Sequence, residues 1–294
     1  MTGLLQTLGT GILIGLVYAL MGLSIVIIFK ASEAFNFAIG EFLIIGAFLF
    51  YVLHFDLKFP LLVALPLGIL CSALVGVIFD WIAIKPLLGQ SPISMTIVSL
   101  GMGYIMRAVV EFIWGSQSYA FALGLPDITV ESGDFFFLSD PMWAGIVSLV
   151  TFSIITFFIF RTRWGLAIRA TSENQSKSIA YGINVRFVMT IVWAISAACI
   201  GATGIMISNF GALAASTSIV GMRAIPVILI GGMDSIVGAL VGGIIVGVVE
   251  ALAGAYIEPM GLIGFKDVAP YILLLLVLMI RPYGLFGTVR IERV

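Results

Sequence analysis

The sequence predicts an all-α polytopic membrane protein of about nine transmembrane helices, eight if one segment re-enters, with broken or re-entrant stretches among them. Three observations predict it. Hydrophobic residues fill 61% of 294 positions and charged residues only 10%, with a mean hydropathy of +1.22, which leaves too little charge to cover a soluble surface. The apolar residues fall in blocks of about 20, the length that crosses a bilayer as a helix, and not in the alternating ~10-residue segments of a membrane β-barrel. The 33 glycines suit helices that approach closely in lipid.

Taken in order, the blocks lie near 8–29, 36–53, 61–84, 93–113, 142–160, 188–209, 214–231, 236–257 and 268–281. The first is preceded by MTGLLQTLGTG, which carries no Lys or Arg, so it is expected to remain as a span and not to be removed as a signal peptide. Lys and Arg orient the rest. With the N-terminus outside, the inside segments hold Lys30, Lys85, Arg161, Arg163, Arg169, Lys177, Arg186, Arg281, Arg290 and Arg293, and the outside segments hold only Lys58 and Lys266. This positive-inside bias places the C-terminus in the cytoplasm. The outside loop 115–141 contains Asp127, Glu131, Asp134 and Asp140 but no Lys or Arg, and its FFFL run at 135–138 is expected at the membrane interface.

The block 214–231 differs from the others because Arg223 lies near its centre and Pro226 follows. Proline removes an intrahelical hydrogen bond, so this block is expected either to cross as a broken helix or to re-enter. Re-entry would reduce the count to eight and move the C-terminus outside. Gly40-x5-Gly46-Ala47 and Gly232-x5-Gly238-Ala239 form a short internal echo that admits either a true repeat or coincidence. The chain reads as a single transmembrane domain, 1–294.

Several function classes find no support. Net charge is −1, so no field points to nucleic acid. Cys71 and Cys199 lie inside apolar blocks and read as core residues. With one His beside them, they cannot build an ordinary zinc or haem site, and no cofactor is expected. No phosphate-binding Gly-x4-Gly-Lys-Ser/Thr loop occurs, and no nucleophile–base set supports hydrolysis, since His54 falls in a short outside turn. What remains are ionisable residues at membrane depth, which face a bundle interior or a wet cavity. These are Glu41, Arg107, Glu111, Arg223 and Glu250. Arg107 and Glu111 are spaced to pair on one helix face. Asn36, Gly40 and Glu41 can line a solute path or join helices. Glu250 needs a partner across helices, and Arg223 can meet either a solute carboxylate or one of the two glutamates.

The stretch 161–187, RTRWGLAIRATSENQSKSIAYGINVRF, is a basic island between apolar blocks. Ala167, Ala170, Ile179 and Ile183 can form one apolar side, Thr171 or Ser172 can cap a short helix, and Gly182 can end it. A helix lying across the cytoplasmic face and presented to a partner explains its length better than a plain loop does.

Gly165-Leu166-Ala167-Ile168-Arg169-Ala170-x3-Asn174-x7-Gly182-Ile183-Asn184 resembles the cytoplasmic coupling segment of permeases in the branched-chain amino acid (LivH-type) ABC importer family. Asn36-Phe37-Ala38-x-Gly40-Glu41-Phe42, Gly231-Gly232-x2-Ser235-x2-Gly238-Ala239-x2-Gly242-Gly243 and Arg281-Pro282-Tyr283-Gly284-Leu285-Phe286-Gly287 extend the resemblance along the chain. The resemblance implies a transport subunit, not an enzyme, in a bacterial or archaeal cytoplasmic membrane. It implies as partners a second, related permease, two ATPase subunits on the cytoplasmic side and an extracytoplasmic solute-binding protein. Gly165, Arg169, Ala170, Asn174, Gly182 and Ile183 would belong to the ATPase-coupling segment. Asn36, Gly40, Glu41, Arg223, Gly232 and Glu250 would lie along the translocation path, worked by alternating access. Ile39, Lys177, Ser178 and Asp234 depart from the family pattern. Branched-chain amino acids are the leading solute, with urea or short amides as the alternative. From the residues alone, a secondary transporter or channel using Glu41 and Glu250 stays open.

Overall fold

A computed structural model of the chain describes residues 2–121, 123, 125, 130–132, 135–137, 139–210 and 212–288. Asp127, Asp134, Leu138, Arg290 and Arg293 lie outside the described residues. The helices are α1 (Thr2–Ser32), α2 (Ile39–Tyr51), α3 (Leu61–Phe79), α4 (Pro92–Trp114), α5 (Ser139–Arg161), α6 (Arg163–Glu173), α7 (Gln175–Ala180), α8 (Val185–Ser208), α9 (Ala224–Gly231), α10 (Ile236–Leu252) and α11 (Phe265–Ile280). Single π turns prolong α2 through Asp56, α3 through Ile84 and α10 through Ile257, and a 3-10 segment, Ala215–Arg223, leads into α9.

The protein is therefore all-α and polytopic, with four very short strands among the described residues. Among the described residues, seven helices are long and apolar enough to cross a bilayer. Two further stretches are shorter: α11, of 16 residues, and Ala215–Gly231. Length alone thus accounts for seven of the nine expected crossings. The broken form expected of 214–231 is present as the 3-10 segment followed by α9. Pro226 occupies the first turn of α9, where its missing N–H costs no intrahelical bond. The block at 36–53 also differs from expectation, because helix begins only at Ile39 and residues 33–38 are non-helical. Glu33 ends α1 with φ at 55°. Of the FFFL run, Phe135–Phe137 pairs with Val130–Ser132 as an antiparallel hairpin.

The chain divides into two compact units, one of Met1–Val26, Gly124–Leu149 and Arg223–Val294 and the other of Ile27–Leu123 and Val150–Met222. In the second unit α2, α3 and α8 pack together. A Cβ on Gly46 would collide with the Gly201 backbone, and one on Gly201 with the Ser72 side chain, so three helices meet where all three residues are small. Beside this contact Phe79 stacks on Trp193 at 4.9 Å and meets Phe42 at 5.1 Å. In the first unit α1 lies against α10 through Gly11, Gly15, Gly243 and Gly247, each of which has the partner helix's backbone where its side chain would stand. Large apolar side chains face outward, Leu62 and Phe112 being 89% and 90% exposed, a disposition that only lipid or another membrane subunit makes favourable.

Gly46→Val puts two methyls into the Gly201 contact, and overpacking of this kind costs about 1–3 kcal/mol. The melting temperature of the detergent-solubilised protein is expected to fall. Gly101→Ala, where nothing lies within 4 Å of the new methyl, is expected to leave it unchanged or slightly raised.

Candidate functional site

The non-helical stretch before α2 is held by side chains. The Phe35 N–H donates to Thr96 Oγ1 at 3.0 Å, and the Phe37 N–H to Ser99 Oγ at 3.0 Å. Asn36 Oδ1 accepts the Ala38 N–H at 2.9 Å. Thr96 and Ser99 are a turn apart on α4, so one helix face supplies the bonds that the missing helix would have made. Asn36 is buried and its Nδ2 has no partner among the described residues, an omission that costs about 1–3 kcal/mol. Gly40 is the point of closest approach: a Cβ there would collide with the Ser218 carbonyl, and one on Gly221 with the Gly40 backbone. The segment at 215–222 therefore lies directly over the opening of α2. Glu41, in the first turn, is half-buried, and a Cβ on Gly103 of α4 would stand 3.4 Å from its Oε2. No cation lies within 4.0 Å of Glu41 among the described residues. Arg107 attracts it from farther away, being itself engaged with Glu111 at 3.1 Å.

A second polar group belongs to the first unit. Arg223 Nη1 meets Glu250 Oε1 at 3.0 Å and donates to the Tyr18 hydroxyl at 2.6 Å, while Nη2 donates to Asp267 Oδ1 at 2.6 Å. Glu250 finds its partner across helices in Arg223. The guanidinium is engaged on two sides by carboxylates, which leaves it poorly placed to receive a solute carboxylate. Gly232 lies at the end of α9, with φ at 110° and the Gly287 backbone where a side chain would stand. There the Leu285 N–H donates to Ile230 O at 2.8 Å and the Phe286 N–H to Gly231 O at 2.9 Å. The Gly231-Gly232 and Arg281–Gly287 stretches thus form one local structure.

The island at 161–187 folds as two short helices, not one. Thr162 caps α6, its Oγ1 accepting the Gly165 N–H at 3.0 Å, and Asn174 caps α7, its Oδ1 accepting the Lys177 N–H at 2.8 Å. Thr171 and Ser172, considered above as caps, lie within α6. Gly182, with φ at 82°, follows the end of α7. Gly165 lets α6 fold back on α5, since a Cβ would collide with the Ile159 and Phe158 carbonyls. The buried side of α6 is Gly165, Ile168 and Thr171, while Ala167 and Ala170 are only half-buried and Ile183 lies half-buried beyond α7. Arg169 lies over the Phe160 ring at 5.4 Å. Leu166, Ile179 and Tyr181 stand exposed. Gln175 Nε2 donates to Ala31 O at 3.0 Å, tying α7 to the end of α1 beside a cleft of about 430 Å³ lined by Lys30, Glu33, Gln90, Thr171 and Asn174.

The sequence profile of the family described as branched-chain amino acid transport system / permease component matches residues 7–280. The chain belongs to this family. LivH of Salmonella typhimurium, described as a high-affinity branched-chain amino acid transport system permease protein, is 29% identical over a 310-residue alignment covering 99% of this chain and 97% of LivH. BraD of Pseudomonas aeruginosa, described in the same words, is 28% identical and covered to 98%, again with 99% of this chain. Among solved structures, PsaBC from Streptococcus pneumoniae in complex with Fab shares the fold at a TM-score of 0.52 and 15% identity, covering 95% of this chain and 91% of that one.

In this permease three groups matter that the sequence reading passed over. Asp80 sits in the 61–84 block and has a fully buried side chain, held by the Thr190 hydroxyl at 2.7 Å and by Lys85 Nζ at 3.6 Å. Its signal was a carboxylate five residues before a lysine at the end of a span. Tyr18 and Asp267 complete the Arg223 group, and only proximity in space reveals them.

Arg223→Ala leaves the largely enclosed Glu250 carboxylate, 12% exposed, without its cation, and losing a charge-assisted hydrogen bond of this kind costs about 1.5–3 kcal/mol. The variant is expected to melt well below the wild type in detergent. Arg223→Met combined with Glu250→Gln is expected to recover most of that loss, whereas Asp267→Asn, at an exposed carboxylate, is expected to change it by less than about 1 kcal/mol.

Proposed function

We propose that this permease is the membrane subunit of an ATP-binding-cassette importer, forming the path by which branched-chain amino acids, or a related small polar solute, cross by alternating access. The observation that carries this reading is the α6–α7 pair. Two capped helices, folded back on α5 by Gly165, present Leu166, Ile179 and Tyr181 outward on a basic stretch. Exposed apolar side chains on short helices that are fixed at both ends suit a docking surface, because burying them against a partner is favourable and their backbone is already ordered. Among the coupling residues, Gly165 and Gly182 shape the pair, Asn174 caps α7, Arg169 packs on Phe160, and Ala170 and Ile183 fill the half-buried side.

The partners are a second, related permease, two cytoplasmic ATPase subunits, where ATP is hydrolysed, and an extracytoplasmic solute-binding protein. The chain sits in a bacterial or archaeal cytoplasmic membrane with its N-terminus outside and its C-terminus and the 161–187 segment inside, as the Lys and Arg distribution favours. The solute path passes the opening of α2, where Asn36, Gly40 and Glu41 meet the segment that covers them. Alternating access then requires residues 215–222 to leave Gly40 and return. An ion-driven secondary transporter using Glu41 and Glu250 is less well served by this geometry, since Glu250 is paired with Arg223.

Ile179→Asp places a charge on the exposed face of α7 without touching the buried side of the pair. With the chain co-expressed with its partner subunits, the variant is expected to lose most ATPase copurification and to lower ATP-driven uptake in liposomes at least tenfold. Copurification and uptake at wild-type levels would remove the docking role.

A further inference from the structure

Asp80 has no part in the proposed docking surface or solute path, yet its side chain is fully buried. Ser72, Gly76 and Asp80, spaced by four, share one face of α3. Opposite them α8 presents Gly201, then Ala197 and Trp193, then Thr190. A Cβ on Gly201 would collide with the Ser72 side chain, and one on Gly76 with the Trp193 carbonyl and the Ala197 methyl, while the Thr190 hydroxyl donates to Asp80 Oδ2 at 2.7 Å. The first two contacts set how closely the helices approach. The third is directional, and it fixes register as close packing of small residues does not. A π turn, Asp80–Ile84, begins at the same residue. In it the Lys85 N–H donates to Asp80 O, and Lys85 Nζ stands 3.6 Å from Oδ2. Asp80 Oδ1 has no partner among the described residues. A buried carboxylate with one oxygen unmet is a poor way to hold two helices together, because apolar residues of similar volume do so without that cost. The attested use of a buried charge is to select one arrangement over another.

The end of α8 that carries Thr190 is continuous with the α6–α7 pair. The Ile183 N–H donates to Ser178 O at 3.0 Å. Asn184 caps α8, its Oδ1 accepting the Phe187 N–H at 3.2 Å, and the Phe187 ring meets that of Trp164 on α6 at 5.0 Å. Thr190 follows one turn after Phe187, so a displacement of the pair reaches its hydroxyl directly. We infer that Asp80 is a positioning residue of the transport cycle, the point on α3 that receives movement of the α6–α7 pair through Thr190 and makes α3 move with α8. The inference rests on the reading of the chain as an importer permease and names the residue pair through which that permease passes the ATPase stroke to α3.

The test uses the whole transporter, with its partner permease, ATPases and binding protein, in liposomes, and measures ATP hydrolysis and uptake of radiolabelled leucine in the same preparation. Thr190→Val removes the hydroxyl and keeps the shape, Thr190→Ser keeps the hydroxyl, and Asp80→Leu removes the acceptor. The Val and Leu variants are expected to assemble with their ATPases in wild-type yield, to melt no lower than the wild type and to hydrolyse ATP, while leucine carried per ATP falls at least fivefold. Thr190→Ser is expected to keep the wild-type ratio, which a change of packing alone would not do. A smaller fall in Thr190→Val overturns the inference, and that variant decides alone if Asp80→Leu does not assemble. Failed assembly of both also overturns it, since the contact would then be one of stability. A wild-type complex that shows no ATP-driven uptake removes the importer reading and the inference with it, whereas wild-type transport with an unchanged ratio in Thr190→Val removes only the inference.

Discussion

The constraint on which this structure depends is that backbone polar groups in an apolar surrounding must find partners within the protein. Continuous helices meet it automatically. The chain departs from helix at 33–38, and at that stretch the hydroxyls of Thr96 and Ser99 accept N–H groups that would otherwise be stranded. The cost of irregularity is thereby moved onto α4, which supplies two hydroxyls a turn apart and a glycine, Gly103, beside them. One group, Asn36 Nδ2, is left over. A hydrophobic residue of similar size would leave no such donor but would strand the Ala38 N–H, which Asn36 Oδ1 accepts.

The same constraint explains what could be read from the sequence. Block lengths and composition located the helices closely: 93–113 against Pro92–Trp114, and 188–209 against Val185–Ser208. Hydropathy responds to burial of side chains, and in lipid every helix carries that signal. It does not respond to backbone conformation, so residues 36–38 counted as span although they are not helical. The break at 214–231 was legible in composition because proline and arginine are chemical exceptions in an apolar run, whereas hydropathy gives no sign of the break before α2, and only the family resemblance of the stretch from Asn36 to Gly46 points to a broken segment there. Caps were misread for a related reason: Thr162, Thr171 and Ser172 are equal candidates by residue type, and only the fold-back at Gly165 decides that the helix starts at Arg163.

Charges at membrane depth divide into those that hold and those that wait. Arg107 with Glu111 follows from their spacing on one helix, and Arg223 with Glu250 joins parts of the chain that the sequence could bring together only as one alternative among several. Arg223 has three partners, two of them carboxylates, an arrangement that neutralises charge and fixes geometry. Glu41 is different in kind. It lies in the first turn of a helix, and among the described residues no cation stands within 4.0 Å of it, so its carboxylate is not spent on another side chain's charge.

How the opening of α2 is covered bears on whether it can be uncovered. Ala215–Arg223 is a nine-residue 3-10 segment, longer than such helices usually run, and its hydrogen-bond geometry is poorer than that of an α-helix. Over residues 218–221 its contact with Gly40 is between backbones, with glycine on both sides of the closest approach. At its closest points such a contact has no interdigitated side chains to withdraw from one another, unlike that of Gly46 with Gly201, where Phe42, Phe79 and Trp193 pack alongside. These two glycine contacts of α2 therefore differ in kind: one lies among packed aromatic side chains, and the other is made by backbone against backbone.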